Sequence, residues 1–269
     1  MKINPLKLSS LRLSSTPKQL PEMIKYAAEN GCGIEVRYPV PIEKFDKGFN
    51  ACVNKLAKTL KGFNNKLSLH GFSNDINPVS EDPAIRKISQ KRYNQSLKIA
   101  NAINADTVVF HTGYNPYWRT TSYDARTKND LINFWKEFVK KFEKSNKIAV
   151  LENSLETEPD FILDIVKAID SPNLKLCLDT GHVKVNSKIP LESWVDKSKK
   201  FLHHIHLHNN NGLQDEHRAF VDGKINFDKT FAKIEEFGLS PNIVFEVKSM
   251  KETKKSLEGF RKLFGTQTG

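Results

Sequence analysis

The chain has 269 residues, of which 38% are hydrophobic and 27% charged, a balance that can bury a sizeable core and excludes a disordered or fibrous polypeptide. Lys and Arg number 42 against 31 Asp and Glu, a net charge of +11. The basic residues are spread along the whole sequence, as Lys58, Lys61, Lys197, Lys199 and Lys200 illustrate, so the charge reads first as solvated helix faces and only second as a polyanion-binding surface.

In chain order, a leucine-rich run at 6–13 predicts the first strand. Thr16 then reads as a helix N-cap with Pro17 at the first helical position, where the missing N–H costs nothing, and an apolar period continues to Gly31. A strand at 33–37 is followed by a helix at 44–61, a strand at 66–70 by a helix at 83–103, and a strand at 107–111 by a helix at 128–143. The second half repeats the scheme with a strand at 148–152, a helix at 159–169 and a strand at 174–179. A weakly patterned stretch comes next, helical only at 191–199; strands at 202–206 and 243–246 then alternate with helices at 227–236 and 252–263. Strands alternating with helices require crossover connections and therefore a parallel sheet. Eight units with no Pro/Gly/Ser-rich linker between them predict an α/β fold in one domain, residues 1–269, closed as a single (β/α)8 TIM barrel. An open doubly wound sheet fits less well, because no Gly-rich phosphate loop follows the first strand.

Polar residues interrupt the apolar runs at one recurring place. His70, His111, Glu152, Asp179, His206 and Glu246 each end a different predicted strand, and in such a barrel those ends converge on the face where active sites are built. Taken singly, each reads more readily as a hydrogen-bonded residue of the barrel mouth; six metal-ligand types at six strand ends reverse that preference and point to a metal centre. His182 follows Asp179 by three residues across a Gly-containing turn, and Asp215 and His217 follow the seventh strand in a polar loop. Imidazole and carboxylate without thiolate suit zinc, manganese, iron or cobalt and exclude Cys-rich structural zinc sites. In the run 203–208, His204, His206 and His208 share one face of a period-two strand, and only one of them need bind metal.

Cys32, Cys52 and Cys177 are odd in number and widely spaced, which fits a reducing, cytoplasmic compartment. Lys7, Ser9, Ser10 and Arg12 break the only N-terminal apolar stretch, so no signal-peptide core forms. No apolar run approaches the roughly 20 residues of a membrane helix. Oligomeric state is not encoded in any pattern of this kind.

The segments LSLHGF, VVFHTG, AVLEN, LCLDTGH, HIHLHNNNG, DEH and VFEV resemble the xylose isomerase-like barrel superfamily over nearly the whole chain. That superfamily holds ketose epimerases, sugar isomerases, inosose dehydratase-like enzymes and the endonuclease IV group of abasic-site endonucleases (AP endonuclease family 2). Resemblance to the epimerases implies that Glu152, Asp179, His206 and Glu246 bind one divalent ion, zinc or manganese. Glu152 and Glu246 would be the catalytic pair, exchanging a proton with a sugar carbon in enediolate-type chemistry, with Glu35, Arg37 and Trp118 expected to bind the sugar. Resemblance to endonuclease IV implies that all nine residues, His70, His111, Glu152, Asp179, His182, His206, Asp215, His217 and Glu246, bind three zinc ions for phosphodiester cleavage in DNA. The sequence departs from that group at Gly181, where Cys is usual, and at HLHN, where HLND is usual. Phe72, Tyr114, Tyr117 and Trp118 are aromatics for covering the barrel mouth, stacking a sugar or stacking a base. The chain therefore reads as a divalent-metal isomerase or epimerase of a sugar or sugar derivative. An abasic-site hydrolase and a non-catalytic metabolite-binding barrel are the alternatives.

Overall fold

The computed structural model describes residues 11–118 and 120–264, apart from the side chains of Ile42 and Trp118. Eight parallel strands close into a barrel in sequence order: β1 (Leu11–Ser15), β2 (Gly33–Val36), β3 (Leu67–His70), β4 (Thr107–His111), β5 (Ile148–Glu152), β6 (Leu174–Asp179), β7 (Leu202–Leu207) and β8 (Asn242–Phe245). The β1–β8 pairing, Leu11 opposite Ile243 through Leu13 opposite Phe245, closes the ring. The part of the first predicted strand at 6–10 lies outside the described residues.

Among the described residues nine helices surround the barrel: α1 (Leu20–Glu29), α2 (Phe49–Leu60), α3 (Pro83–Ala102), α4 (Thr121–Lys144), α5 (Asp160–Ile169), α6 (Thr180–Asn186), α7 (Leu191–Ser198), α8 (Asp228–Glu236) and α9 (Met250–Phe264). None is long and apolar enough to cross a membrane. Helix α1 begins later than its Thr16-Pro17 signal suggests. Thr16 instead closes a turn, its carbonyl accepting from the N–H groups of Gln19 and Leu20, and Pro21 takes the early helical position that lacks an N–H partner. Helix α2 starts at Phe49 because Gly48 adopts φ +93°, a left-handed conformation that interrupts helical backbone.

The core lies between barrel and helices. Trp135 of α4 packs edge-on to Phe110 of β4 and to Tyr93 of α3, with ring centroids 5.5 and 5.9 Å away. Tyr93 also donates its hydroxyl to the carbonyl of His111 at 2.6 Å, so this aromatic cluster holds the functional end of β4. At the opposite end of the barrel the almost fully buried Arg12 makes two parallel hydrogen bonds to Asp106, of 2.8 and 3.1 Å. This fork-to-carboxylate pairing compensates a guanidinium taken out of water.

Candidate metal centre

All nine sequence-selected residues meet at the C-terminal mouth, and they do so in three connected groups. In the central group Glu152, Asp179, His206 and Glu246 offer donor atoms that all lie within 4.8 Å of one another. His206 Nδ1 faces Glu152 Oε1 at 2.8 Å, Glu246 Oε2 at 3.1 Å and Asp179 Oδ2 at 3.7 Å. Beside it, Glu152 Oε2 lies 2.9 Å from His111 Nε2 and 3.3 Å from His70 Nε2. On the outer side His182 Nε2 and His217 Nε2 lie 3.4 and 2.7 Å from Asp215 Oδ2.

Several rings are aimed by main-chain carbonyls. Nδ1 of His70 donates to Gly71 O at 3.0 Å, Nδ1 of His182 to Asn153 O at 2.8 Å and Nδ1 of His217 to Glu246 O at 2.8 Å. A carbonyl can only accept, so each Nδ1 carries the proton and each Nε2 is turned toward the site, the usual arrangement behind a ligating imidazole. His217 reaches its position with φ +47°, an uncommon conformation for a side chain of this size. Asn153 ties the ends of β5 and β6 together by bonding both the N–H and the carbonyl of Asp179, at 2.8 and 3.0 Å.

Glu35 departs from the expectation that it binds sugar. It is fully buried, accepts from Ser68 Oγ at 2.8 Å and His204 Nε2 at 2.9 Å, and sets its other oxygen 2.9 Å from His206 Nε2. It therefore buttresses the histidines from beneath the site. Arg37, two residues on, does reach the mouth: it donates to Val247 O at 2.7 Å and stands 3.8 Å from Glu246 Oε1. The Trp118 side chain lies outside the described residues. Of the other aromatics, Phe72 is buried, Tyr114 stacks on Phe161 at 3.8 Å, and Tyr117 is exposed.

The donor set fits a cation. Three carboxylates crowd one imidazole nitrogen in the buried central group, more negative charge than one N–H can compensate. His111 Nε2 and Glu152 Oε2 are buried and close, yet neither has a hydrogen bond of workable direction. Their lone pairs converge as those of two ligands do, and none of the donor groups contains cysteine.

Without an ion, protons take its place. Burial opposes charge on Glu152 and Glu246, but the neighbouring histidines, His206 foremost, hold both well below the usual carboxylate range. Burial likewise opposes a charged His70 and His217, and it is outweighed by the facing carboxylates of Glu152 and Asp215 respectively, 3.3 and 2.7 Å from the ring nitrogens, which lift each imidazole to about 9. Because these values stand above the ordinary histidine value of about 6.5, their contribution to metal-free stability is complete below about pH 6.5 and lost as pH rises through 9. A divalent ion must displace the same protons, so its apparent affinity should climb over that window. Calorimetry of zinc uptake at pH 7.5 in buffers of different ionisation enthalpy should record proton release; uptake without it would contradict this account.

A cavity of about 720 Å³ opens beside the centre, bounded by His70, Glu246 and Arg37 on one side. Its other walls include Tyr38, Val40, Phe45, Phe72 and Ile88, with Tyr38 62% exposed and held at φ +49°. Tyr38 was not singled out in the sequence, where it follows GIEVR as an ordinary aromatic; only its backbone strain and exposure mark it.

The family described as xylose isomerase-like TIM barrel matches residues 24–263. The uncharacterized protein MJ1311 of Methanocaldococcus jannaschii is 30% identical over 203 residues, covering 72% of this chain and 68% of that protein. Among solved structures, the TTHB071 protein of Thermus thermophilus, soaked with ZnCl2, superposes with a TM-score of 0.79 at 24% identity, covering 96% of this chain and all of that one. A D-tagatose 3-epimerase-like protein superposes with a TM-score of 0.77 at 24% identity, covering 94% and 97%.

Proposed function

The chain belongs to the xylose isomerase-like TIM barrel family, and from that premise we propose that it is a divalent-metal-dependent isomerase or epimerase of a sugar derivative. The observation that carries this reading is the pair Glu152 and Glu246, from β5 and the end of β8, whose carboxylates meet at 2.8 and 3.1 Å on one histidine nitrogen. Two carboxylates flanking one point can remove a proton from one face of a carbon and return it to the other. An ion held by Glu152, Asp179, His206 and Glu246, zinc or manganese by donor type, would polarise an adjacent carbonyl and hydroxyl and so make that proton removable. Arg37 stands beside Glu246 to fix a substrate oxygen. Asp179 is held by its own helix, accepting the His182 N–H at 2.7 Å. The apolar wall from Tyr38 to Ile88 suits a sugar bearing an apolar group better than a free polyol, whose hydroxyls would find few partners there. The likeness in fold to the D-tagatose 3-epimerase-like protein supports this reading.

A second reading, abasic-site phosphodiester cleavage, is favoured by one observation: the nine residues divide into three groups, the number that the resemblance to endonuclease IV implies for three ions. One experiment separates the two. Metal-loaded protein is incubated with a ketose panel in deuterated water and, in parallel, with an abasic duplex, with Glu246→Gln as control. The proposal predicts deuterium at one sugar carbon, or an isomerised product where hydride shifts internally, and its loss in the variant. Metal-dependent strand cleavage with no change in any sugar would overturn it.

A further inference from the structure

Gly181, the second residue of α6, lies directly beneath the ring of His208 at the end of β7. A Cβ at position 181 would stand 1.9 Å from His208 Cε1 and 2.5 and 2.7 Å from its two nitrogens. Any side chain there would need the volume the imidazole fills. The ring has little freedom to yield. His208 is fully buried, stacked on His217 with centroids 4.1 Å apart, and its N–H and carbonyl are both bound by the Thr180 hydroxyl, at 3.3 and 3.1 Å. From that position Nε2 donates to both oxygens of Asp179, at 3.1 and 3.0 Å, while Nδ1 is buried without a partner among the described residues. The two departures from the endonuclease pattern, Gly181 in DTGH and His208 in HLHN, are therefore one feature: the first residue is small because the second is large.

We infer that Gly181 and His208 form a coupled unit that aims the Asp179 carboxylate into the central group, with His208 as a positioning residue for a metal ligand. Asp179 is then fixed from two directions, by the His182 N–H at 2.7 Å and by the His208 imidazole. The inference concerns divalent-ion binding and is independent of which reaction the centre performs.

The test is a double-mutant cycle read as zinc affinity, by competition with a chelating dye, with thermal unfolding of each metal-free protein alongside. Gly181→Ala and His208→Ala are each expected to weaken the tightest zinc site by roughly 10–100-fold. The double variant should be no weaker than His208→Ala, because nothing remains for the added methyl to displace. His208→Phe keeps a ring over Gly181 but removes the Nε2 donor; it should lose affinity like His208→Ala while unfolding within a few degrees of wild type. Should Gly181→Ala fail to fold while the double variant folds, that rescue supports the coupling and His208→Phe alone reads the positioning. Wild-type affinity in His208→Phe and His208→Ala would overturn the positioning role. Losses that multiply in the double variant would overturn the coupling. Absence of zinc uptake by the wild type would overturn both this inference and the metal reading beneath it, an outcome distinct from a wild type that binds zinc and lacks sugar turnover.

Discussion

Glu152→Gln is expected to reduce turnover by at least about 10³-fold, the upper part of the range for losing a catalytic acid or base, and to empty the centre of its most tightly held ion. Glu152 is 0% exposed and its two oxygens serve different partners, Oε1 facing His206 and Oε2 facing His111 and His70. An amide carries one acceptor and one donor in their place, so one side of the residue must present N–H groups to an imidazole already aimed at it. The carboxylate also raises the imidazole of His70 in the metal-free chain, so the variant should lose the His70 share of the stability change between about pH 6.5 and 9 and keep the share that His217 owes to Asp215. Turnover within tenfold of wild type would show that Glu152 neither holds the ion nor moves the proton.

Trp135→Ala is expected to cost about 3–5 kcal/mol, the usual range for truncating a buried aromatic. Trp135 is fully buried against Phe110 of β4, Tyr93 of α3 and Phe138 of its own helix. Among the described residues its indole N–H has no hydrogen-bond partner, so the residue acts by volume alone. The thermal midpoint should fall by roughly 6–20 °C, at about 2–4 °C per kcal/mol for a chain of this size, while Trp135→Phe should recover much of the loss. A midpoint within about 2 °C of wild type in the alanine variant would mean that the helix layer does not carry the barrel as described. Because Tyr93 of the same cluster holds the carbonyl of His111, the alanine variant should also weaken metal affinity, though less than Glu152→Gln.

Much of the barrel was legible because an apolar strand that stops at a polar residue marks its own functional end. His70, His111, Glu152 and Asp179 all stand at the last position of their strands, and Glu246 one residue beyond β8. Helix α6 was not legible. Thr180-Gly181-His182 reads as a turn, since glycine disfavours helix; the helix forms there because Asp179 caps it and the glycine makes room for His208. Glu35 misled for a geometric reason. It shares a strand face with Arg37, as period two requires, but two residues amount to nearly 7 Å along a strand, which places Arg37 at the cavity and Glu35 a layer below, among His204 and His206. The division into three groups depends on which imidazole nitrogen faces inward, and carbonyls distant in sequence decide that: Asn153 for His182 and Glu246 for His217.

The central claim, a catalytic metal centre built on Glu152, Asp179, His206 and Glu246, is tested most directly by elemental analysis of protein purified without chelator and again after reconstitution with zinc or manganese. At least one tightly held transition-metal ion per chain is expected, rising toward three if the flanking groups also fill, with the first ion absent from Glu152→Gln. Wild-type protein that carries no metal in either preparation, or Glu152→Gln that carries as much as wild type, would contradict it.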